Sequence, residues 1–180
     1  MSEHISDKTP YTNSIAYWIG EESFVGRIRL AVSDLGVCKL SVGRESDEAF
    51  FAWLARKTGP SEPIHKRTPL ADQALAEIHA YLSGALREFE TPADLNGTAF
   101  QLRVWAEVAA IPYGSTSTYR EVAGRVGRPK AFRAVGAANG ANPVPLFIPC
   151  HRVVGADGTL RGYGGGMAIK AALLKLESAA

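Results

Sequence analysis

Cysteine is scarce in this chain: its 180 residues include two, Cys38 and Cys150, and neither belongs to a CxxC pair. The four histidines, His4, His65, His79 and His151, are scattered. A structural zinc site takes about four sulfur or nitrogen ligands at regular spacing, so no metal is expected, and no cofactor either. Two thiols also exclude a disulfide framework. A single Cys38–Cys150 bridge is disfavoured in a reducing compartment, and free thiols are the better reading. Long hydrophobic runs are missing as well: none approaches the roughly 18 residues of a membrane helix. Residues 1–10 are polar and carry Glu3, Asp7 and Lys8, unlike a signal peptide. A cytoplasmic protein without membrane association is the expectation.

Net charge is also small, +2, from 20 Lys+Arg against 18 Asp+Glu. Its distribution is uneven. Residues 1–95 hold 10 basic and 14 acidic side chains, a balance of −4, whereas residues 96–180 hold 10 basic and 4 acidic, a balance of +6. One reading is a second half that faces a polyanion such as nucleic acid; the other is a basic surface of no consequence. The 46% hydrophobic and 21% charged content fits a folded chain of one ordinary domain or two small ones.

The first 14 residues are polar and predict no ordered element. Residues 14–19, 26–33 and 36–42 are short, rich in Ile, Val, Tyr and Trp, and read as three strands. A tight turn at Asp34-Leu35-Gly36 joins the last two. Residues 46–57 place Phe50, Trp53 and Leu54 at helical spacing behind Ser46 or Asp47 as N-cap. Residues 58–68 contain two prolines and read as a loop. Residues 69–83 gather Leu70, Ala74, Leu75, Ile78 and Leu82 on one helical face and stop at Gly84. Pro92 and Asn96-Gly97 mark a linker. Residues 98–110 form an amphipathic helix through Phe100, Val104, Trp105 and Val108, ended by Ile111-Pro112-Tyr113-Gly114. Two short helices, 119–126 and 130–141, flank Gly127-Arg128-Pro129 on the scale of a helix-turn-helix. An extended apolar run at 144–154, broken by Pro145 and Pro149, leads into a loop at 155–166 with six of the 18 glycines. Residues 168–177 close the chain as a helix. The organisation is therefore residues 1–90, a linker at 91–97, and residues 98–180.

Chemistry concentrates in Ile148-Pro149-Cys150-His151-Arg152-Val153. A thiol with pKa near 8.5 is only about a few per cent thiolate at pH 7, so a nucleophilic cysteine needs a base or a positive field. His151 is a candidate base and Arg152 a candidate charge. Adjacent side chains of an extended segment point opposite ways, so a bridging water links Cys150 to His151 more naturally than direct contact, unless the chain turns. A carboxylate is then needed to hold the imidazole tautomer, and Glu177 is one of four acids after Leu95. The bland alternative is a buried cysteine acting as a small hydrophobe, and Cys38, between Val37 and Lys39, is read that way.

Ile148-Pro149-Cys150-His151-Arg152-Val153 resembles the active-site motif of the O6-alkylguanine-DNA alkyltransferases. Gly97-Thr98-Ala99-Phe100-Gln101 with Val104-Trp105, Ile111-Pro112-Tyr113-Gly114 and Ser117-Thr118-Tyr119 extend the likeness. Arg133-Ala134-Val135-Gly136, Asn142-Pro143, Gly162-Tyr163-Gly164-Gly165-Gly166 and Leu173-Leu174-Lys175-Leu176-Glu177 follow in register, across residues 96–178. The first half resembles the family only loosely, notably at Tyr81-Leu82-Ser83-Gly84. The resemblance implies an α/β N-terminal domain, a small antiparallel sheet with helices of ribonuclease-H-like type. It implies a mostly α, winged helix-turn-helix-type C-terminal domain.

By the same resemblance, Cys150 accepts an alkyl group irreversibly from O6 of guanine, and less efficiently from O4 of thymine, once per molecule. His151 is the water-mediated base, Glu177 its orienter, and Asn142 a brace behind the cysteine. The partner is double-stranded DNA with an alkylated base, bound through the minor groove by a monomer, with the nucleotide flipped out. Arg133 fills the vacated space, Tyr119 crowds the phosphate, and Ala134, Ala137 and Ala138 keep the helix slim. Arg120, Arg125, Arg128 and Lys130 are candidates for phosphate contact. The base pocket uses carbonyls of Cys150 and Val153, Gly164 N–H and the Tyr119 hydroxyl, with Tyr163, Gly165 and Pro145 as walls. Arg161 is a bulky residue in the pocket loop. The alternatives are a non-repairing sensor of alkylated DNA, a helix-turn-helix regulator, whose recognition helix would carry longer polar side chains, and a cysteine hydrolase.

Overall fold

A computed structural model describes residues 15–58 and 62–178. The polar first 14 residues, and with them the first residue of the expected first strand, lie outside this range. Strands β1 (Ala16–Ser23), β2 (Gly26–Val32) and β3 (Val37–Ser41) form an antiparallel meander. Its second turn is where the sequence puts it, with Ser33 N–H donating to Gly36 O at 2.9 Å. A fourth strand, β4 (Ile64–His65), lies parallel to β1, giving the order β3-β2-β1-β4. The segment expected as plain loop thus contains a strand. Two residues are too few to show a period.

Alternation along β2 decides what covers each face. Ile28, Leu30 and Val32 join the core that includes Ala71, Leu75 and Ile78 of helix α2 (Pro69–Leu82). Ala31, with Cys38 from β3, points to the opposite face and meets Ile15 together with Phe50 and Leu54 of helix α1 (Asp47–Thr58). Cys38 is fully buried, its thiol donates to Ala31 O at 3.3 Å, and burial pushes its pKa up to about 12. It is an inert hydrophobe, as the sequence suggests. Local chemistry starts each helix. Ser46 Oγ accepts from Ala49 N–H ahead of α1, and Thr68 caps α2 with Pro69 in its first turn.

The expected linker is not slack. Val37 N–H donates to Pro92 O and Asp94 N–H to Val37 O, both at 2.9 Å, so this stretch lines the outer edge of β3. Ser33 Oγ donates to Asp94 at 2.6 Å. Beyond it come helices α3 (Ala99–Ala109), α4 (Tyr119–Arg125) and α5 (Phe132–Gly140), and α6 (Met167–Ser178). Capping boxes Thr98/Gln101 and Thr118/Glu121 open α3 and α4. Helix α5 has no side-chain cap and depends on packing: Val135, Ala138 and Asn139 are buried, and Trp105 Nε1–H donates to Ala138 O at 2.8 Å. Gly97 leaves room for that indole, because a Cβ there would come within 2.6 Å of it. Strands β5 (Ser117–Thr118) and β6 (Val153–Val154) pair in parallel.

Residues 144–154 differ from the extended run read in the sequence. Ile148 N–H bonds back to Val144 O, Leu146 takes φ 76°, and Cys150–Arg152 form a single 3-10 turn closed by Arg152 N–H to Pro149 O. The prolines, which cannot donate to a ladder, favour local turns over a strand here. No helix among the described residues is long and apolar enough to cross a membrane.

The two halves touch backbone to backbone where the β3–α1 loop meets the glycine-rich loop. Gly43 has φ 77°, and a Cβ on it would lie 2.3 Å from Gly165 O. Gly43→Ala should therefore lower stability by at least about 1 kcal/mol, from the left-handed backbone and the clash together. Urea unfolding checks this; an unchanged midpoint would mean that the loops separate freely.

Candidate active site and DNA-facing surface

Cys150 is the first residue of the 3-10 turn and is 6% exposed. It forms part of a cavity of about 330 Å³ whose other walls include Asn142, Pro145, Tyr163, Gly164 and Gly165. Lys39 and Arg44 of the first half complete the rim. Behind the cysteine, Asn142 Nδ2 donates to Ile148 O at 2.8 Å while its Oδ1 accepts from Val144 N–H at 3.0 Å. Asn142 thus ties Val144 to Ile148 just ahead of the cysteine. Asn139, which the sequence reading passed over, donates to Cys150 O at 3.2 Å.

The turn sends His151 and Arg152 inward, away from the cavity and toward Glu177. His151 is fully buried, with Nε2 2.7 Å from Glu177 Oε1. Arg152 donates from Nε to both carboxylate oxygens, at 3.1 and 3.0 Å, and from Nη2 to Oε1 at 3.0 Å. Its Nη1 is held by Ile111 O at 2.6 Å. Gly114 N–H donates to Oε2 at 3.1 Å, and the Tyr81 hydroxyl donates to Oε1. Tyr81 also lies 3.2 Å from His151 Nε2.

These contacts set the protonation states. Burial alone would raise the Glu177 carboxyl, but bonds from His151, Arg152 and Tyr81 outweigh it and hold the group down to about 2. Burial dominates for His151 and holds it below its usual value despite Glu177, leaving it neutral at pH 7. Arg152 is therefore the charge partner of Glu177, and the His151 contact is a neutral N–H on a carboxylate. Arg152 was expected as a charge for the thiolate; it is engaged elsewhere. Lys170 takes that place. It is buried, donates to Val153 O at 2.6 Å and Arg161 O at 2.7 Å, and is brought down to about 8 by desolvation. The Cys150 thiol is itself pushed up by burial, against bonding from Asn142 and the positive field of Lys170. It rests as a thiol. The imidazole Nδ1 has no hydrogen-bond partner among the described residues.

Of the expected pocket groups, Pro145, Tyr163, Gly164 and Gly165 line the cavity with Cys150, whereas Val153 and Tyr119 do not. The Cys150 carbonyl accepts from Asn139 at 3.2 Å and from Val153 N–H, which closes the turn, and the Val153 carbonyl accepts from Lys170 at 2.6 Å. The Tyr119 hydroxyl donates to Arg161 O at 3.0 Å. Arg161 does not crowd the cavity with its side chain, which turns out to Asp157 at 3.0 Å. On the outer surface, Arg133, Ala134 and Ala137 of α5 are exposed, whereas Ala138 is 3% exposed and faces the core. Ala138 is thus corrected from a surface position to a packing one, since its turn of α5 abuts Trp105. Arg128 is exposed, its guanidinium 5.7 Å from the Phe100 ring centre; Arg120 and Arg133 flank Phe132. Arg125 is instead paired with Glu107 at 3.1 Å.

Tyr81, Asn139 and Lys170 are the residues that sequence reasoning missed. Lys170, Leu173 and Glu177 are all buried on α6, at positions i, i+3 and i+7. A lysine and a glutamate seven apart on an apolar helix face are a readable sign of buried function. Tyr81 offered no sign beyond its place in Tyr81-Leu82-Ser83-Gly84.

A family model described as 6-O-methylguanine DNA methyltransferase, DNA binding domain, matches residues 99–179. A methylated-DNA–protein-cysteine methyltransferase of Mycobacterium tuberculosis is 54% identical over 104 residues, 58% of this chain and 63% of that protein. The chain's match thus spans less than two thirds of that relative's length. One from Methanosarcina barkeri is 41% identical over 158 residues, 87% of this chain and 93% of the relative. The crystal structure of Mycobacterium tuberculosis OGT in complex with DNA superposes with a TM-score of 0.77 at 39% identity, covering 91% of this chain and 93% of that one. The chain belongs to the methylated-DNA–protein-cysteine methyltransferase family, and its curled sheet with attendant helices is the fold of that family.

Because the carboxyl of Glu177 is depressed, it stabilises the fold above the ordinary carboxylate range, and that contribution is lost as pH falls toward about 2. The depression corresponds to about 3 kcal/mol. Glu177→Gln should cost roughly 3 kcal/mol at pH 7 by stranding Arg152 and should flatten stability across that acid window. Denaturant unfolding at several pH values measures both. An unaltered acid limb in the variant would mean other carboxylates control it.

Proposed function

We propose that this protein performs direct-reversal DNA repair, moving an alkyl group from O6 of guanine, and from O4 of thymine, onto Cys150. The carrying observation is the thiol in the cavity with His151 behind it, whose Nδ1 has no partner among the described residues while Nε2 is held by Glu177. A water on Nδ1 can relay the thiol proton to the imidazole. The sulfur then attacks the alkyl carbon, the S–C bond forms and the C–O6 bond breaks. The electron pair passes to the guanine, which takes up a proton at N1 and leaves as the normal base. Nothing regenerates the thiol from the thioether, so each molecule reacts once.

A stacked base cannot reach this cavity, and flipping it costs about a few kcal/mol. The exposed Arg133 on the small-residue surface of α5 suits the gap left in the duplex, with Ala134 and Ala137 allowing close approach in a minor groove about 6 Å wide. Tyr119, at the head of α4, suits the rotated phosphate, and Arg128 a backbone phosphate. The Cys150 and Val153 carbonyls are the acceptors assigned to the guanine amino group, which would share Cys150 O with its Asn139 and Val153 donors, with Tyr163, Gly164, Gly165 and Pro145 around the base. The α4–α5 pair with the β5–β6 strands supports a winged helix-turn-helix type. The β1–β3 meander with a parallel β4 supports a ribonuclease-H-like type. The boundaries 1–90, 91–97 and 98–180 follow that division, and a cytoplasmic monomer that needs neither metal nor cofactor is the matching form.

With duplex DNA carrying labelled O6-methylguanine, one equivalent of label should reach Cys150. Cys150→Ala should abolish transfer yet fold and bind DNA; binding without label by the wild type would favour a sensor, and multiple turnovers a hydrolase. Because the relay hands the thiol proton to an imidazole held below its usual value, the single-turnover rate should be level from about pH 7 upward and fall as the imidazole takes a proton at lower pH; a rate that rises about tenfold per pH unit toward about pH 9 would mean that solvent takes the proton instead. Arg133→Ala should slow repair in duplex by about tenfold or more while changing reaction with a free O6-alkylguanine base by less than about twofold. Equal losses on both substrates would exclude a stack-filling role.

A further inference from the structure

We propose that Tyr81 is a positioning residue that fixes the proton of His151 on Nε2, and that supplying this hydroxyl is a task of the first half of the chain. The inference rests on His151 as the base of the transfer step.

Tyr81 belongs to α2, on the opposite side of the linker from every other side chain of the cluster. Its ring is wholly buried, edge-on to Tyr113 at 6.0 Å and against Phe89 at 5.3 Å, so the hydroxyl has little freedom to move away. The phenol stays protonated, since burial and then the Glu177 charge push its pKa far above the usual value. Its proton goes to Glu177 Oε1, and its oxygen sits 3.2 Å from His151 Nε2. The carboxylate oxygen lies 2.7 Å from the same nitrogen. Both oxygens around Nε2 are thus acceptors, because the only hydroxyl proton there is already committed. Nε2 must carry the ring hydrogen, and Nδ1 keeps the lone pair a base requires.

Glu177 alone fixes the ring less firmly. Oε1 also serves two Arg152 nitrogens, and one shared acceptor leaves the imidazole free to rotate or change tautomer. A second acceptor on Nε2, carried by a packed ring, removes that freedom. The other residues around the cluster do not substitute for it. Arg152 and Gly114 bind the carboxylate and not the imidazole, and Lys170 is spent on Val153 O and Arg161 O.

The test uses the full chain with 15N-labelled histidine. Ring-nitrogen shifts of His151 report the tautomer, and single-turnover transfer from O6-methylguanine DNA reports the reaction. In the wild type the Nε2–H form should dominate. In Tyr81→Phe a mixture of tautomers should appear and transfer should slow about tenfold. Placing 4-aminophenylalanine at position 81, whose N–H can donate to Glu177, should recover most of both. Phe89→Leu disturbs the packing of the same ring without touching the hydroxyl, and should lower the melting temperature while leaving the tautomer alone. An unchanged tautomer in Tyr81→Phe, or an equal shift in Phe89→Leu, overturns the proposal. A wild type that takes no methyl group strikes at the alkyl-transfer reading instead and leaves the tautomer result standing.

Discussion

One buried carboxylate organises this molecule. Glu177, at the end of the last helix, accepts bonds from His151 and Arg152 in the 3-10 turn, from Gly114 after α3, and from Tyr81 of the first half. A buried charge is tolerable only when it is paired and bonded on most of its lone pairs. Each donor is therefore worth having only while the others are present. The site assembles with the fold as a unit, and segments far apart in the chain become mutually dependent through two oxygen atoms.

The same arrangement separates the buried polar cluster from the sulfur of Cys150. The charges lie behind the turn, while Cys150 faces the cavity as a neutral thiol raised by its burial. A neutral thiol is a slow nucleophile toward any electrophile that happens to diffuse in. On the proposed reading, reactivity waits for an alkyl carbon to reach the sulfur as the proton leaves. Lys170, positively charged and locked by two carbonyls, supplies a field in the cavity without a competing anion.

Much of this was legible in the sequence because it rests on short-range rules. The helices announced themselves through apolar spacing at 46–57, 69–83 and 98–110 and through stops at Gly84 and Ile111-Pro112-Tyr113-Gly114, while the caps Thr68, Thr98/Gln101 and Thr118/Glu121 emerged with the structure. Cys150, His151, Glu177 and Asn142 were legible as a set, through motif register. What escaped was tertiary. Two-residue strands carry no period, so β4 was hidden within its loop. The turn at 150–152 replaced an extended run because local proline geometry outweighed the β-branched composition. Ala138 shares its composition with Ala134 and Ala137, and only the position of Trp105 distinguishes the side turned inward. Tyr81 was silent because its partner lies 96 positions away, and a one-dimensional pattern has no way to represent that distance.

The chain between the halves has one further bearing. By pairing with β3, residues 92–94 occupy hydrogen-bonding groups that a sheet margin would otherwise present to solvent. The far margin is guarded differently, by a strand of only two residues. Open margins are templates on which foreign chains add and aggregates grow. Here both are blunted, and the connector serves as a selvedge along the outer side of the sheet.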